Sequence, residues 1–139
     1  MRVELRYEAL AEADPTALET LADRILATGA AVSVTTGPES VSAPVRIPGP
    51  GAPGTTVVLG HLALTRCTVT IDGIRGDGIR TGCDFAGAVA AAICDAECER
   101  GGALSDQVTA LCDSALAAVA ERRRARAVLV AATRLVDQP

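Results

Sequence analysis

The stretch that decides the fold is Thr56-Val57-Val58-Leu59-Gly60-His61-Leu62-Ala63-Leu64-Thr65-Arg66-Cys67-Thr68-Val69-Thr70-Ile71, followed by Asp72-Gly73 and Ile74-Arg75-Gly76-Asp77-Gly78-Ile79-Arg80-Thr81. In the first run Ala63, Thr65, Cys67, Val69 and Ile71 alternate with Leu62, Leu64, Arg66, Thr68 and Thr70, the period of two that marks a strand with two different faces. Asp72-Gly73 is a dipeptide of the kind a two-residue hairpin needs, because its residues must adopt positive φ. A return strand over 74–81 follows, weakened by Gly76 and Gly78. A long antiparallel hairpin is therefore the centre of the fold.

On the N-terminal side, Pro48-Gly49-Pro50-Gly51-Ala52-Pro53-Gly54 cannot sit in a regular element and reads as a loop between strands. Before it, Ala31 to Thr36 and Val41 to Ile47 read as two short strands separated by a Gly37-Pro38 turn. Pro44 confines the second to an edge or a bulge. Further back, Asp14-Pro15 is a helix start, and Leu18, Leu21 and Ile25 then share one face up to a stop at Gly29. A shorter helix before Asp14 contains Tyr7, Leu10 and Ala11.

On the C-terminal side, Asp84 caps a helix running to Arg100 with Phe85, Ala88, Ala92 and Ala96 on one stripe, and Gly101-Gly102 ends it. Ser105 is read as the cap of a third helix, with Val108, Leu111, Ala115 and Val119 on its buried face. That helix ends in the basic run Arg122-Arg123-Arg124-Ala125-Arg126. The β-branched content of 127–136 predicts a final strand. The expected fold is one α+β domain over 1–139, an antiparallel sheet with helices packed on one face.

Composition limits what such a domain does. Its 139 residues suit a single modest core. Tyr7 and Phe85 are the only aromatics, so Ala, Val, Leu and Ile must build that core, and each buries little area. A net charge of −4 gives no cationic footprint for nucleic acid, and the near absence of aromatics removes stacking platforms. No apolar run approaches the roughly 20 residues of a membrane span. The charged N-terminus lacks a signal-peptide core, and a cytoplasmic location is expected. Cys67, Cys83, Cys94, Cys98 and Cys112 are odd in number and include no Cys-x-x-Cys, which predicts reduced thiols rather than a disulfide framework.

Chemistry-bearing residues are sparse. His61 is the sole histidine, with no local nucleophile and carboxylate to complete a catalytic set. Cys94 and Cys98 share a helix face, but no second ligand pair has metal spacing, so they read as small apolar fillers. Arg75 to Asp84 leads glycines into a helix N-terminus, as phosphate-binding loops do. It fits neither G-x-G-x-x-G nor the Walker pattern, and Asp84 would occupy the place of the phosphate. The arginines at 122–126 either complement a helix C-terminus or dock an acidic partner or anionic substrate. No catalytic residue and no metal ligand is assigned.

Gly60-His61-Leu62-Ala63-Leu64-Thr65-Arg66, the Asp72-Gly73 turn, Gly76, Gly82, Asp84, Ala88, Ala92, Asp95 and Ala96 together resemble the central signature of the PhnG family. That signature is a G-x-x-x-x-T-R strand, a turn, a hairpin ending in G-x-D, and a helix with an alanine-rich face and a D-A pair. Ala9-Leu10-Ala11, Pro15 and Leu18 are similar to the family's first helix, and Arg134 after an apolar strand is similar to its end. The chain departs at Cys83, where the family usually carries Arg, in its scarcity of aromatics, and in the 48–54 loop. The resemblance implies a subunit of the bacterial carbon–phosphorus lyase machinery, working with the H, I and J subunits and the L protein. That assembly converts MgATP and methylphosphonate to α-D-ribose 1-methylphosphonate 5-triphosphate with release of adenine. The chain itself is then expected to bind no cofactor and to be non-catalytic alone. Arg66, Arg80, Asp84 and Asp95 are its expected interface or active-site support residues. Each also has a plain structural reading: Asp84 as a helix cap, Asp95 as partner of a nearby arginine, Arg66 and Arg80 as cross-strand charges. The alternative is an autonomous phosphate-binding domain or enzyme acting through the 75–84 hairpin.

Overall fold

A computed structural model describes residues 1–137, with side chains through Arg134. Helices α1 (Val3–Glu12) and α2 (Pro15–Leu26) lead into strands β1 (Val32–Pro48), β2 (Thr56–Ile71) and β3 (Ile74–Thr81). Helices α3 (Phe85–Glu99) and α4 (Ser105–Asp137) follow. The sheet is antiparallel in the order β1-β2-β3. The fold is α+β, as the hairpin and its flanking helices predict.

The central hairpin forms as read. Asp72 and Gly73 take φ of 51° and 81°, and β3 returns along residues 64–71 of β2. Thr65, Cys67, Val69 and Ile71 point into the core beneath α3. Gly76 and Gly78 do not merely weaken β3. A Cβ on Gly76 would lie 2.3 Å from Ala92 O and Ala96 N, and one on Gly78 would lie 2.4 Å from Ala88 O and Ala92 N. The helix backbone rests directly on the strand backbone, and Ala88, Ala92 and Ala96 are fully buried by that approach. A nearly aromatic-free core thus gains density by close approach rather than by large side chains.

Four expectations need correction. The segments 31–36 and 41–47 are one continuous strand, β1. The Gly37-Pro38 pair is absorbed as a bulge, with register shifts between Val34 and Thr36 and between Thr36 and Glu39. Backbone pairing to the longer β2 keeps the chain extended across what the dipeptide alone would turn. Phe85 is not on the buried stripe; it is 48% exposed at the first turn of α3. Ser105 does not cap α4. Its hydroxyl donates to Gly102 O and Glu97 O, tying the α3–α4 connection instead. The final strand over 127–136 is absent, and α4 continues as helix to Asp137. The segment continues α4, which packs on α1, α2 and α3, and Ala125, Ala127, Ala131 and Ala132 let the helix run on through the β-branched residues. Arg134 accordingly follows a helix and not a strand.

Two parts project from the body. β3 pairs with β2 only from Leu64 onward, so β1 from Ser42 to Pro48 and β2 from Thr56 to Ala63 form a two-stranded ribbon beyond the helices. Val41, Val45 and Ile47 share one face with Leu62, Leu64 and Val57 by strand alternation and register, and most of that face is exposed. The second projection is α4 itself. It spans about 50 Å by helical rise, and every residue from Glu121 to Arg134 is exposed.

Candidate functional site

The charged residues gather where α1 and α3 meet the outer edge of β3. Asp95, buried on α3, accepts from Arg6 Nε at 2.6 Å and from the backbone N–H of Asp77 at 2.9 Å. The second bond satisfies an edge-strand donor that no neighbouring strand reaches. Arg6 also donates to Glu99. Burial alone would push the Arg6 guanidinium toward neutrality, yet its bonds to Asp95 and Glu99 more than offset this and raise its pKa. Asp77 accepts from the Thr68 hydroxyl at 2.7 Å and from Arg75 at 3.1 Å. Burial opposes its ionisation, but these two partners outweigh it and hold the carboxyl below its ordinary value.

A second cluster lies at the other end of β3. Arg80 is buried, and its Nη1 donates to the carbonyls of Leu10 (3.0 Å), Ala11 (3.0 Å) and Ala13 (2.8 Å). A cation thereby closes the C-terminus of α1, where carbonyls have no helical partner. Arg80 Nε donates to Asp84 Oδ2 at 3.1 Å. Asp84 Oδ1 accepts from Gly87 N at 2.9 Å, as its reading as a cap predicts. A side chain on Gly87 would collide with that carboxylate, which explains a glycine in the first turn. Thr65 Oγ1 accepts from Asp84 N at 3.1 Å and donates to Gly82 O, fastening the strand end to the helix start.

Arg66 pairs across strands with Glu39 at 2.7 Å, and both side chains are largely exposed. Of the four candidates, Arg66 and Asp95 line one cleft, whereas Arg80 belongs with Asp84 and opens onto a different hollow beside Arg122. The four do not converge on one point. The first cleft, about 640 Å³, lies between α1 and the uncovered face of the sheet, with Tyr7, Glu4 and Glu8 on one wall and Arg66, Thr68 and Arg75 on the other. Burial, and secondarily the charge of Asp77, raises the Tyr7 phenol.

Two residues of consequence were not singled out from the sequence. Arg6 precedes Ala9, Leu10 and Ala13 at helical spacing, so its place on the buried stripe of α1 was readable from that periodicity. Glu97 is fully buried; it holds Arg100 at 2.8 Å and the Leu104 N–H at 3.2 Å. Arg100 in turn reaches Asp72 in the hairpin turn at 3.2 Å. A Cβ on Gly102 would lie 1.9 Å from Glu97 Oε1, so the Gly101-Gly102 stop also makes room for this carboxylate.

The thiols are packed rather than poised. Cys67, Cys94 and Cys112 are buried, and burial pushes all three up, Cys112 to about 11. Cys98 is half-buried and is raised chiefly by the same cause. Among the described residues no group of three or more His, Cys, Asp or Glu is placed to hold a metal ion. No described helix is long and apolar enough to cross a membrane.

A helix-backed antiparallel sheet, locked by ionic contacts between α1, β3 and α3 and carrying two exposed projections, defines a small α+β protein. The model of the family described as phosphonate metabolism protein PhnG matches residues 3–137, nearly the whole chain. The chain belongs to the PhnG family, and with it to phosphonate metabolism as a carbon–phosphorus lyase subunit. No curated protein matches the chain.

Proposed function

We propose that this chain is a supporting subunit of the carbon–phosphorus lyase core complex. In that complex it aids formation of α-D-ribose 1-methylphosphonate 5-triphosphate from MgATP and methylphosphonate with release of adenine. The proposed partners are the H, I and J subunits, the I subunit most directly, with the L protein needed for activity. MgATP is a substrate of the whole assembly, and the proposed location is the cytoplasm.

The observation that carries this reading is the apolar face of the β1–β2 ribbon. Val45, Ile47, Val57 and Leu62 are each at least 40% exposed on a protein with few large hydrophobic residues to spend on its own core. Contiguous exposed apolar surface of this kind marks an interaction site. The charged residues point the same way: Arg6, Arg80, Asp84 and Asp95 are engaged in holding helices to the sheet. Arg66 is the most available of the four candidates, on the uncovered face that continues into the ribbon. The reading through the 75–84 hairpin is less well supported. Asp84 holds the Gly87 amide that a phosphate would use, Arg80 is turned into the end of α1, and Arg75 is paired with Asp77.

The test is co-expression of the chain with the I subunit from the same organism, followed by tagged capture and size exclusion. Stoichiometric co-elution is expected, and adding the H, J and L proteins should restore adenine release from MgATP in the presence of methylphosphonate. A chain that stays monomeric beside its partners, or adenine release at full rate without it, overturns the reading.

A further inference from the structure

We infer that the projecting half of α4, from Glu121 to Arg134, is a docking helix that lies in an acid-rimmed apolar groove of a partner subunit; the inference rests on the subunit reading above. The sequence read Arg122–Arg126 as a helix end and the residues after it as a strand. The structure makes them one uninterrupted helix, and that changes what the arginines are for. Cations placed mid-helix have no C-terminal carbonyls to complement.

On this helix Ala125, Val128, Leu129 and Ala132 recur at the spacing of a single stripe. Val128 and Leu129 are 70% and 69% exposed, among the most exposed large apolar side chains of the molecule. By the same periodicity Arg122 and Arg126 flank this stripe on one side and Arg124 on the other, while Arg123 and Arg134 lie on the opposite face. Arg122 reaches Glu12 at 3.4 Å and Arg124 reaches Glu121 at 2.6 Å. Arg123 and Arg126 have no acidic partner among the described residues. Glu121 is the only acidic residue between Ser114 and Arg134, in a chain whose net charge is −4. This is a cationic island on an acidic protein, attached to a stripe of uncovered apolar side chains.

A helix segment of this length without tertiary packing is marginal in water, and Val128, Val130 and Thr133 lower its propensity further. A partner that buries the stripe and meets the arginines with carboxylates supplies what the body does not. A protein groove suits the segment better than the alternatives. Interfacial membrane helices draw their affinity from Trp, Phe and several Leu, and this stripe has one Leu. Nucleic acid is opposed by the acidity of the remaining surface.

The test uses the full chain co-expressed with the H, I and J subunits. R124E/R126E and V128D/L129D alter exposed positions, so circular dichroism and solubility should match the unsubstituted chain. Each double variant should lower apparent affinity for the partner complex by about tenfold or more. Affinity of the unsubstituted chain should fall as salt rises from about 0.05 to about 0.5 M, and that of R124E/R126E should respond less. Retention of full affinity by both variants overturns the inference while leaving complex membership intact. Failure of the unsubstituted chain to co-elute overturns both. Equal subunit affinity, with the variants instead losing binding to vesicles of about one-third anionic lipid or to a single-stranded oligonucleotide, assigns the helix to that ligand and also overturns it.

Discussion

Replacing Asp95 with alanine tests the ionic lock most directly. The substitution removes two acceptors at once: the oxygen 2.6 Å from Arg6 Nε and the oxygen 2.9 Å from the Asp77 amide. Leaving one member of a buried ion pair without its partner costs about 3–5 kcal/mol. Glu99 still holds Arg6 and is itself partly exposed, which places the charge contribution at the low end, about 3 kcal/mol. The orphaned Asp77 N–H adds about 1 kcal/mol. A total near 4 kcal/mol is a large fraction of the roughly 5–15 kcal/mol that stabilises a domain. At the usual unfolding entropy per residue it lowers Tm by about 14 °C. Arg6→Met alone is expected to cost about 2 kcal/mol, because Asp95 keeps its amide partner. The double variant should cost less than the two singles together, with a coupling of about 2 kcal/mol in the cycle. Urea denaturation of the four chains at constant m-value measures each quantity. A cost below about 1 kcal/mol for Asp95→Ala, or a coupling indistinguishable from zero, would refute the reasoning.

Other outcomes follow from the same geometry. Gly78→Ala should destabilise by about 3 kcal/mol, since its Cβ would sit 2.4 Å from Ala88 O; Gly60→Ala, with nothing within 4 Å, should change the urea midpoint by no more than about 0.5 kcal/mol. Arg80→Met uncovers three carbonyls at the end of α1 and should cost about 3 kcal/mol, read as loss of hydrogen-exchange protection in α1 before the rest of the fold. The Asp77 carboxyl is depressed in the folded state, so its contribution is present above the unfolded value near 3.8 and is lost as pH falls through the lower folded value. Asp77→Asn should therefore flatten the acid limb of the stability profile below about pH 4, and an unchanged limb in urea titrations would count against the assignment. Alkylation of the native protein at about pH 8 should label Cys83 first and leave Cys67, Cys94 and Cys112 unmodified until urea is added, as peptide mass mapping will read.

Local chemistry made much of this protein legible. The alternation from Ala63 to Ile71, the Asp72-Gly73 turn, and the Asp14-Pro15 and Asp84 starts depend on neighbours close in sequence, and the structure keeps all of them. The family was legible for the same reason, because its signature is a run of turn, cap and close-packing residues within one hairpin and one helix. Arg66, Asp84 and Asp95 could be named from that run, and the Asp84 cap was within reach of a simple spacing rule.

Tertiary structure decided the rest. Whether Gly37-Pro38 turns or bulges depends on β2, where Thr68 and Arg66 pair with Thr36 and Glu39 on either side of it. The pairing of Arg6 with Asp95 joins residues 89 positions apart, and Arg80 reaches Leu10 across 70. No local pattern carries such distances. The meaning of Gly76 and Gly78 lies in a helix backbone that arrives from outside the hairpin. The residues after Arg126 have an apolar, β-branched pattern that serves either strand or helix. They became helix as the continuation of α4, whose earlier turns pack on α1, α2 and α3, and an alanine-rich segment with no strand to pair with satisfies its backbone hydrogen bonds within itself.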